Sequence, residues 1–251
     1  MIRLSVVVVC RNEEANLARC LESVRFADDI VVADSRSTDR TTEIARQFGA
    51  RTFTIDWSGF GSAKQFAVDQ AAGEWILSID ADEALSPGLA DEIRGIVAST
   101  PSCDGYDMPR LTNFLGRWIR HSGWYPDRVL RLFRKGRGQF TEATVHEALV
   151  VNGPVGHCRH DLRHYSYPTL ELYFEKFNRY TTLGAEQAFA RGERASVFDL
   201  TIRPAAALVK HYISKAGFLD GIEGLMISVL SSCAVLVKYA KLRHLHRNAG
   251  K

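Results

Sequence analysis

The sequence predicts an α/β chain built on a mostly parallel sheet flanked by helices, with a helical extension at its C-terminal end. Three observations carry that expectation. Apolar, β-branched runs alternate with amphipathic stretches through the first hundred residues, carboxylates gather where those runs stop, and strand patterns give way to helical ones from Thr169 onward.

The elements follow in order. "RLSVVVVC" is an unbroken β-branched run, the pattern of a strand covered on both faces. "EEANLARCLESVRF" places Leu17, Leu21 and Val24 on one helical face. "DDIVVADS" is a second strand. "TDRTTEIARQFG" is a helix with Ile44, Ala45 and Phe48 on one side and Gly49 as its stop. "ARTFTIDW" and "EWILSID" are the third and fourth strands, separated by the helix "SAKQFAVDQAAG"; Pro87 opens a fourth helix in "PGLADEIRGIVAS". Such alternation makes right-handed βαβ units the natural architecture. The expected organisation is 1–104 as one half of the sheet domain, 105–168 as its other half, and 169–251 as the extension.

With 251 residues the chain can bury the core of one large α/β domain and carry an appendage. Five scattered cysteines without a C-x-x-C pair argue against a disulfide framework or a zinc ribbon and fit a reducing compartment. The opening "MIRLSVVVVCRNEE" lacks a small-residue cleavage site and reads as a strand, so the expected location is the cytoplasm. The net charge of +3 conceals an asymmetry: residues 1–104 hold 10 Lys/Arg against 17 Asp/Glu, and residues 105–251 hold 22 against 12. The acidic half should bind a cation, and the basic half should meet something anionic.

"GEWILSIDADEALSP" shows where the acidity lies. An apolar strand ends in Asp80, Asp82 and Glu83, three carboxylates that repel one another unless positive charge stands among them. Ligands of parallel sheets bind at the carboxyl ends of strands, where Asp34 and the stretch Arg11–Glu14 also fall. Oxygen donors there favour Mg²⁺ or Mn²⁺ shared with a phosphate-bearing ligand. No P-loop or G-x-G-x-x-G follows the first strand, which removes the usual nucleotide-triphosphate and dinucleotide readings.

Together, "SVVVVCRNEEANLARCLESV", "VVADSRSTDRTTEIA" and "GFGSAKQFAVDQAAGEWILSIDADE" resemble the successive signatures of family 2 glycosyltransferases of the GT-A fold. "FLGRWIRHSGWYPDRVLRLFRKG", "VHEALVVNG" and "GFLDGIEGL" resemble the subgroup containing lipopolysaccharide inner-core β-1,4-glucosyltransferases. The resemblance implies a Rossmann-like nucleotide-diphospho-sugar transferase fold and an inverting, metal-dependent transfer from a UDP-sugar, with glucose implied by the subgroup, to an anionic glycolipid acceptor. It implies nucleotide-sugar binding by Arg11, Glu13, Asp34, Lys64 and Asp80, with Asp82 and His164 holding the metal. The inverting chemistry requires a carboxylate to take the acceptor proton. "VHEAL" puts Glu147 in that place, with Glu142 and Asp127 as rivals. In the acceptor stretch, Trp118 and Trp124 would stack on sugar rings, and Arg128 and Arg131 would pair with phosphate. One departure stands out: relatives carry glycine where this chain has Arg36, so a turn needing positive φ would be strained there.

The histidines His157, His160 and His164 have no cysteine or carboxylate spaced to make a zinc site with them. Beyond Thr169, "LELYFEKFNRYTTLGAEQAFARGE" is an amphipathic helix and Pro204 is expected to open the next. Residues 224–237 are free of charge but number only 14, against about 20 for a membrane span. The following tail, with Lys238, Lys241, Arg243, Arg247 and Lys251, suits peripheral attachment to the cytoplasmic face of an inner membrane. Two alternatives stay open: transfer to a polyprenyl phosphate, and a basic nucleic-acid-binding module. The second is disfavoured because no nucleic-acid motif is present and the carboxylates would repel phosphates.

Overall fold

The computed structural model describes residues 3–141 and 149–249. In chain order the elements are β1 (Leu4–Cys10), α1 (Leu17–Ser23), β2 (Asp29–Asp34), α2 (Thr41–Gln47), β3 (Arg51–Thr54), α3 (Phe60–Gln70), β4 (Trp75–Asp80), β5 (Glu83–Leu85) and α4 (Pro87–Ala98). Next come β6 (Gly105–Phe114), β7 (Arg117–Ile119), β8 (Asp127–Arg134), β9 (Gly138–Phe140), β10 (Leu149–Val151), β11 (Val155–His157) and β12 (Leu162–Tyr167). The chain ends in α5 (Leu170–Ala190), α6 (Val197–Val209), a π-helical turn (Lys210–Ser214), a 3₁₀ turn (Gly217–Asp220) and α7 (Gly221–Ala249). It divides into two compact units, residues 1–110 with 127–164 and residues 111–126 with 165–251.

The first unit has the expected α/β class. Its strands run parallel in the order β3-β2-β1-β4. Val6, Val7 and Val8 of β1 are all buried, because helices cover both faces of the sheet. Beyond β4 the sheet is mixed: β8 lies antiparallel to β4 and to β6, and β11 runs parallel to β6. β5 pairs antiparallel with the start of β12, and β9 with β10 in a separate ladder. Two apolar clusters fill the unit, one around Leu21, Trp75, Ile79 and Met108, the other around Val7, Ala67, Ile76 and Phe133. Gly73 is required by a close approach: a Cβ there would lie 2.5 Å from the Ser5 backbone nitrogen. Ser86 caps α4 by accepting from the Leu89 amide, with Pro87 in the first turn as expected.

The second unit is an aromatic and helical assembly. Phe114, Ile119, Tyr173 and Ile227 form one buried cluster, and Ala185, Ala188, Tyr239 and Leu242 form another where α5 and α7 pack. Pro204 does not open α6; it lies inside the helix. The start is set by a capping box, in which Ser196 Oγ accepts from the Asp199 amide and the Asp199 carboxylate accepts from the Ser196 amide. The amide that proline lacks would have bonded the carbonyl of Leu200.

The described part of the tail continues α7. Lys241 Nζ reaches the Asn178 carbonyl at 3.0 Å and the Thr182 hydroxyl at 2.7 Å, so it fastens α7 to α5. Tyr239 and Leu242 are core residues. Residues 238–249 are therefore part of the folded unit. Residues 217–249 form a helical stretch long and apolar enough, by length and composition alone, to cross a membrane. Asp220 lies within its first turn, the 3₁₀ turn that precedes α7, where its carboxylate accepts from the His121 amide at 2.9 Å.

Candidate active site

The ends of β1 and β2 meet as two loops held together by short polar side chains. Asn12 adopts positive φ, which turns its Oδ1 toward the Thr38 amide (2.8 Å), while its own amide donates to Ser37 Oγ (2.8 Å). The Glu13 amide donates to Thr41 Oγ1 and the Glu14 amide to Asp39. Asp39 thereby closes the turn before α2. Asp34 is buried and accepts from the Ser37 amide at 2.9 Å. Glu13 accepts from the Asn16 side chain, and Arg11 is exposed directly after β1.

Arg36 sits in this turn at φ 55°, the left-handed backbone that favours glycine. The strain is real for a side chain with a Cβ, at about 1–3 kcal/mol. Its guanidinium pairs with Asp56 at 2.7 Å, but both side chains are solvent-exposed, so the pair returns little. Arg36→Gly is expected to stabilise the fold by about 0.5–1 kcal/mol in urea unfolding, after the entropy glycine adds to the unfolded chain. A loss of stability would show that the Asp56 pair outweighs the backbone term.

The crowding at the end of β4 is resolved by cations from distant segments. Lys64, buried on α3, places Nζ 2.8 Å from Asp80. Arg131, buried on β8, lies 2.5 Å from Asp80 and 2.6 Å from Glu83. Arg110 on β6 approaches Glu83 at 3.4 Å and pairs with Asp127 at 2.5 Å. Burial would push the Asp80 carboxyl up, but Arg131 and Lys64 outweigh it and hold the group far below the usual carboxylate range. Burial likewise opposes charge on Arg131, and the two carboxylates more than restore it. Asp80 is thus held ionised, within a network where carboxylates and cations alternate.

Asp82, two residues beyond Asp80, meets His164. The register of β5 on β12 sets His164 opposite Glu83, and its Nε2 comes 3.3 Å from the Asp82 carboxylate. The other ring nitrogen, Nδ1, is buried without a hydrogen-bond partner. Among the described residues no three His, Cys, Asp or Glu side chains gather as a metal cage. One carboxylate and one imidazole nevertheless fit a hard divalent ion whose remaining ligands come from a diphosphate and water.

Other expected residues fall elsewhere. Arg131 is not free for an acceptor, since two carboxylates already occupy its guanidinium. Arg128 pairs with Asp107, which also takes the His157 ring. Arg134 pairs with Glu74 and lies over the Trp75 ring. Much of the basic run is therefore spent on the chain's own carboxylates, which explains the charge asymmetry without a nucleic acid. Trp118 packs edge-on against Tyr165, and Trp124 against Phe114, both within the second unit. Glu147 and Glu142 lie outside the described residues. Sequence reading gave no role to Arg110 and left Glu83 as one more carboxylate; their buried pairing is a long-range effect without a local signature.

A sequence model of the glycosyl transferase family 2 matches residues 5–152, the whole stretch that builds these loops and carboxylates. The chain belongs to that family. It is a glycosyltransferase, and the two relatives named next match it over most of their own length. The lipopolysaccharide core biosynthesis glycosyltransferase LpsC of Rhizobium meliloti is 29% identical, covering 94% of this chain and 93% of LpsC. An uncharacterized glycosyltransferase of Rickettsia felis is 32% identical over 97% of this chain and 90% of its own. Residues 1–349 of TarS from S. aureus give a TM-score of 0.49 at 15% identity, covering 99% of this chain and 92% of that one.

Proposed function

We propose that this glycosyltransferase moves a sugar, with inversion, from a UDP-sugar to a hydroxyl of an anionic glycolipid of the lipopolysaccharide core type. Glucose is the sugar favoured by the subgroup signatures. The observation that carries the reading is the Asp82–His164 pair beside the charged, ion-paired Asp80 at the carboxyl end of β4. The match to LpsC supports the acceptor class. Asp34 and the Arg11–Glu13 stretch, at the ends of β2 and β1, would take the nucleoside. Lys64 and Arg131 keep Asp80 charged and fixed, so that site is organised before substrate arrives.

Asp82 and His164 would hold Mg²⁺ or Mn²⁺, which when bound supplies positive charge for the departing diphosphate. In the transfer itself the acceptor oxygen forms a bond to the anomeric carbon as the bond to the diphosphate oxygen breaks, its electron pair leaving with UDP. Glu147 takes the hydroxyl proton. Calorimetry tests the donor site. Asp82→Asn is expected to weaken UDP binding in the presence of Mn²⁺ by about ten-fold or more, since one charge on the ion is lost. Unaltered affinity would remove Asp82 from the reading. Product analysis with lipopolysaccharide core and with polyprenyl phosphate then separates the two acceptor classes.

A further inference from the structure

We propose that the second unit docks on an anionic lipid bilayer through the turn that joins α6 to α7, a surface separate from the donor site and independent of its chemistry. Val209, Ile213, Phe218, Leu219, Ile222 and Leu225 are all exposed across this turn, with Ile222 at 72% and Ile213 at 61%. A strip of that size seldom faces water on a soluble protein unless it meets a partner.

Charge selects the partner. The acids of this segment are already engaged: Asp199 in the capping box and with Arg203, Asp220 with the His121 ring and amide, and Glu223 3.7 Å from Arg117. The cations Lys210 and Lys215 stand exposed at the two ends of the π-helical turn. The loop 120–123 adds basic groups beside them. His211 Nδ1 contacts the Ser122 carbonyl at 2.7 Å, and the Ser122 amide donates to the Lys215 carbonyl at 2.9 Å. Apolar side chains flanked by two lysines match the boundary between acyl chains and anionic headgroups.

Attachment is peripheral. α7 has the length to span, but Ile227, Ser228, Tyr239 and Leu242 along it are buried, and Asp220 ties the preceding turn to residues 120–122. A spanning helix could not keep those contacts. The proposed attachment site is thus the turn, distinct from the basic tail to which the sequence points.

Co-sedimentation with vesicles of equal parts phosphatidylglycerol and phosphatidylcholine tests this on the full chain. Two variants are compared with wild type: Phe218→Ser/Leu219→Ser/Ile222→Ser, and Lys210→Glu/Lys215→Glu. Each is expected to lower the partition coefficient about ten-fold or more, with circular dichroism unchanged, and wild type should bind pure phosphatidylcholine vesicles far more weakly. Equal pelleting of all three proteins overturns the proposal. So does wild type that survives an alkaline carbonate wash, which would mean a span. A wild-type dimer that ignores vesicles and falls to monomer in the serine variant would assign the strip to a second copy of the chain instead.

Discussion

Arg131→Met is expected to destabilise the first unit by about 3–5 kcal/mol, the range for removing one partner of a buried ion pair. The side chain is buried and serves two carboxylates at once. Asp80 would retain Lys64 at 2.8 Å, so its loss is partial. Glu83, fully buried, would keep the Asp80 amide at 3.0 Å and the Arg110 guanidinium at 3.4 Å, a weaker answer to its charge, and the cost falls mainly there. A second change follows from that division. Glu83→Gln in the Arg131→Met background should recover part of the loss, because an amide carries no uncompensated charge. Urea unfolding measures both. A single-variant cost under about 1 kcal/mol would mean the network is hydrated and the carboxylates do not depend on Arg131.

Glu147→Gln is expected to reduce kcat by roughly 10²-fold or more while leaving UDP-sugar affinity nearly unchanged. A base acts only when the acceptor proton moves, so its loss appears in turnover and spares donor binding. Asp127 is a less available rival, because its Oδ2 is engaged by two nitrogens of Arg110. Parallel assays of Asp127→Asn and Glu142→Gln decide among the three. Near-normal turnover in Glu147→Gln with a large loss in either rival reassigns the base.

The parallel half of the sheet was legible because its signals are local. Runs such as "SVVVVC" and helical faces such as Leu17–Leu21–Val24 declare their periodicity within a dozen residues. The strain at Arg36 was legible for the same reason, since a single turn sets it. Arg131 was not. In sequence it is one arginine of a basic run, and only the pairing of β8 with β4 carries it to Asp80. The start of α6 was readable yet missed: "SVFD" is a capping box, and Pro204 drew attention to the wrong residue.

The three-residue ladder between β5 and the start of β12 has a further consequence, for the order in which the molecule forms. Asp82 and His164 are 82 positions apart in the chain, and this short pairing brings them together. Closing so long a loop is entropically expensive, and three rungs offset little of it until the intervening strands are in place. A chain with β1 to β4 assembled would hold its carboxylates but not the imidazole. The Asp82–His164 pair is therefore completed late in folding, and a partly folded chain, newly made or damaged, would lack the ion site proposed for it.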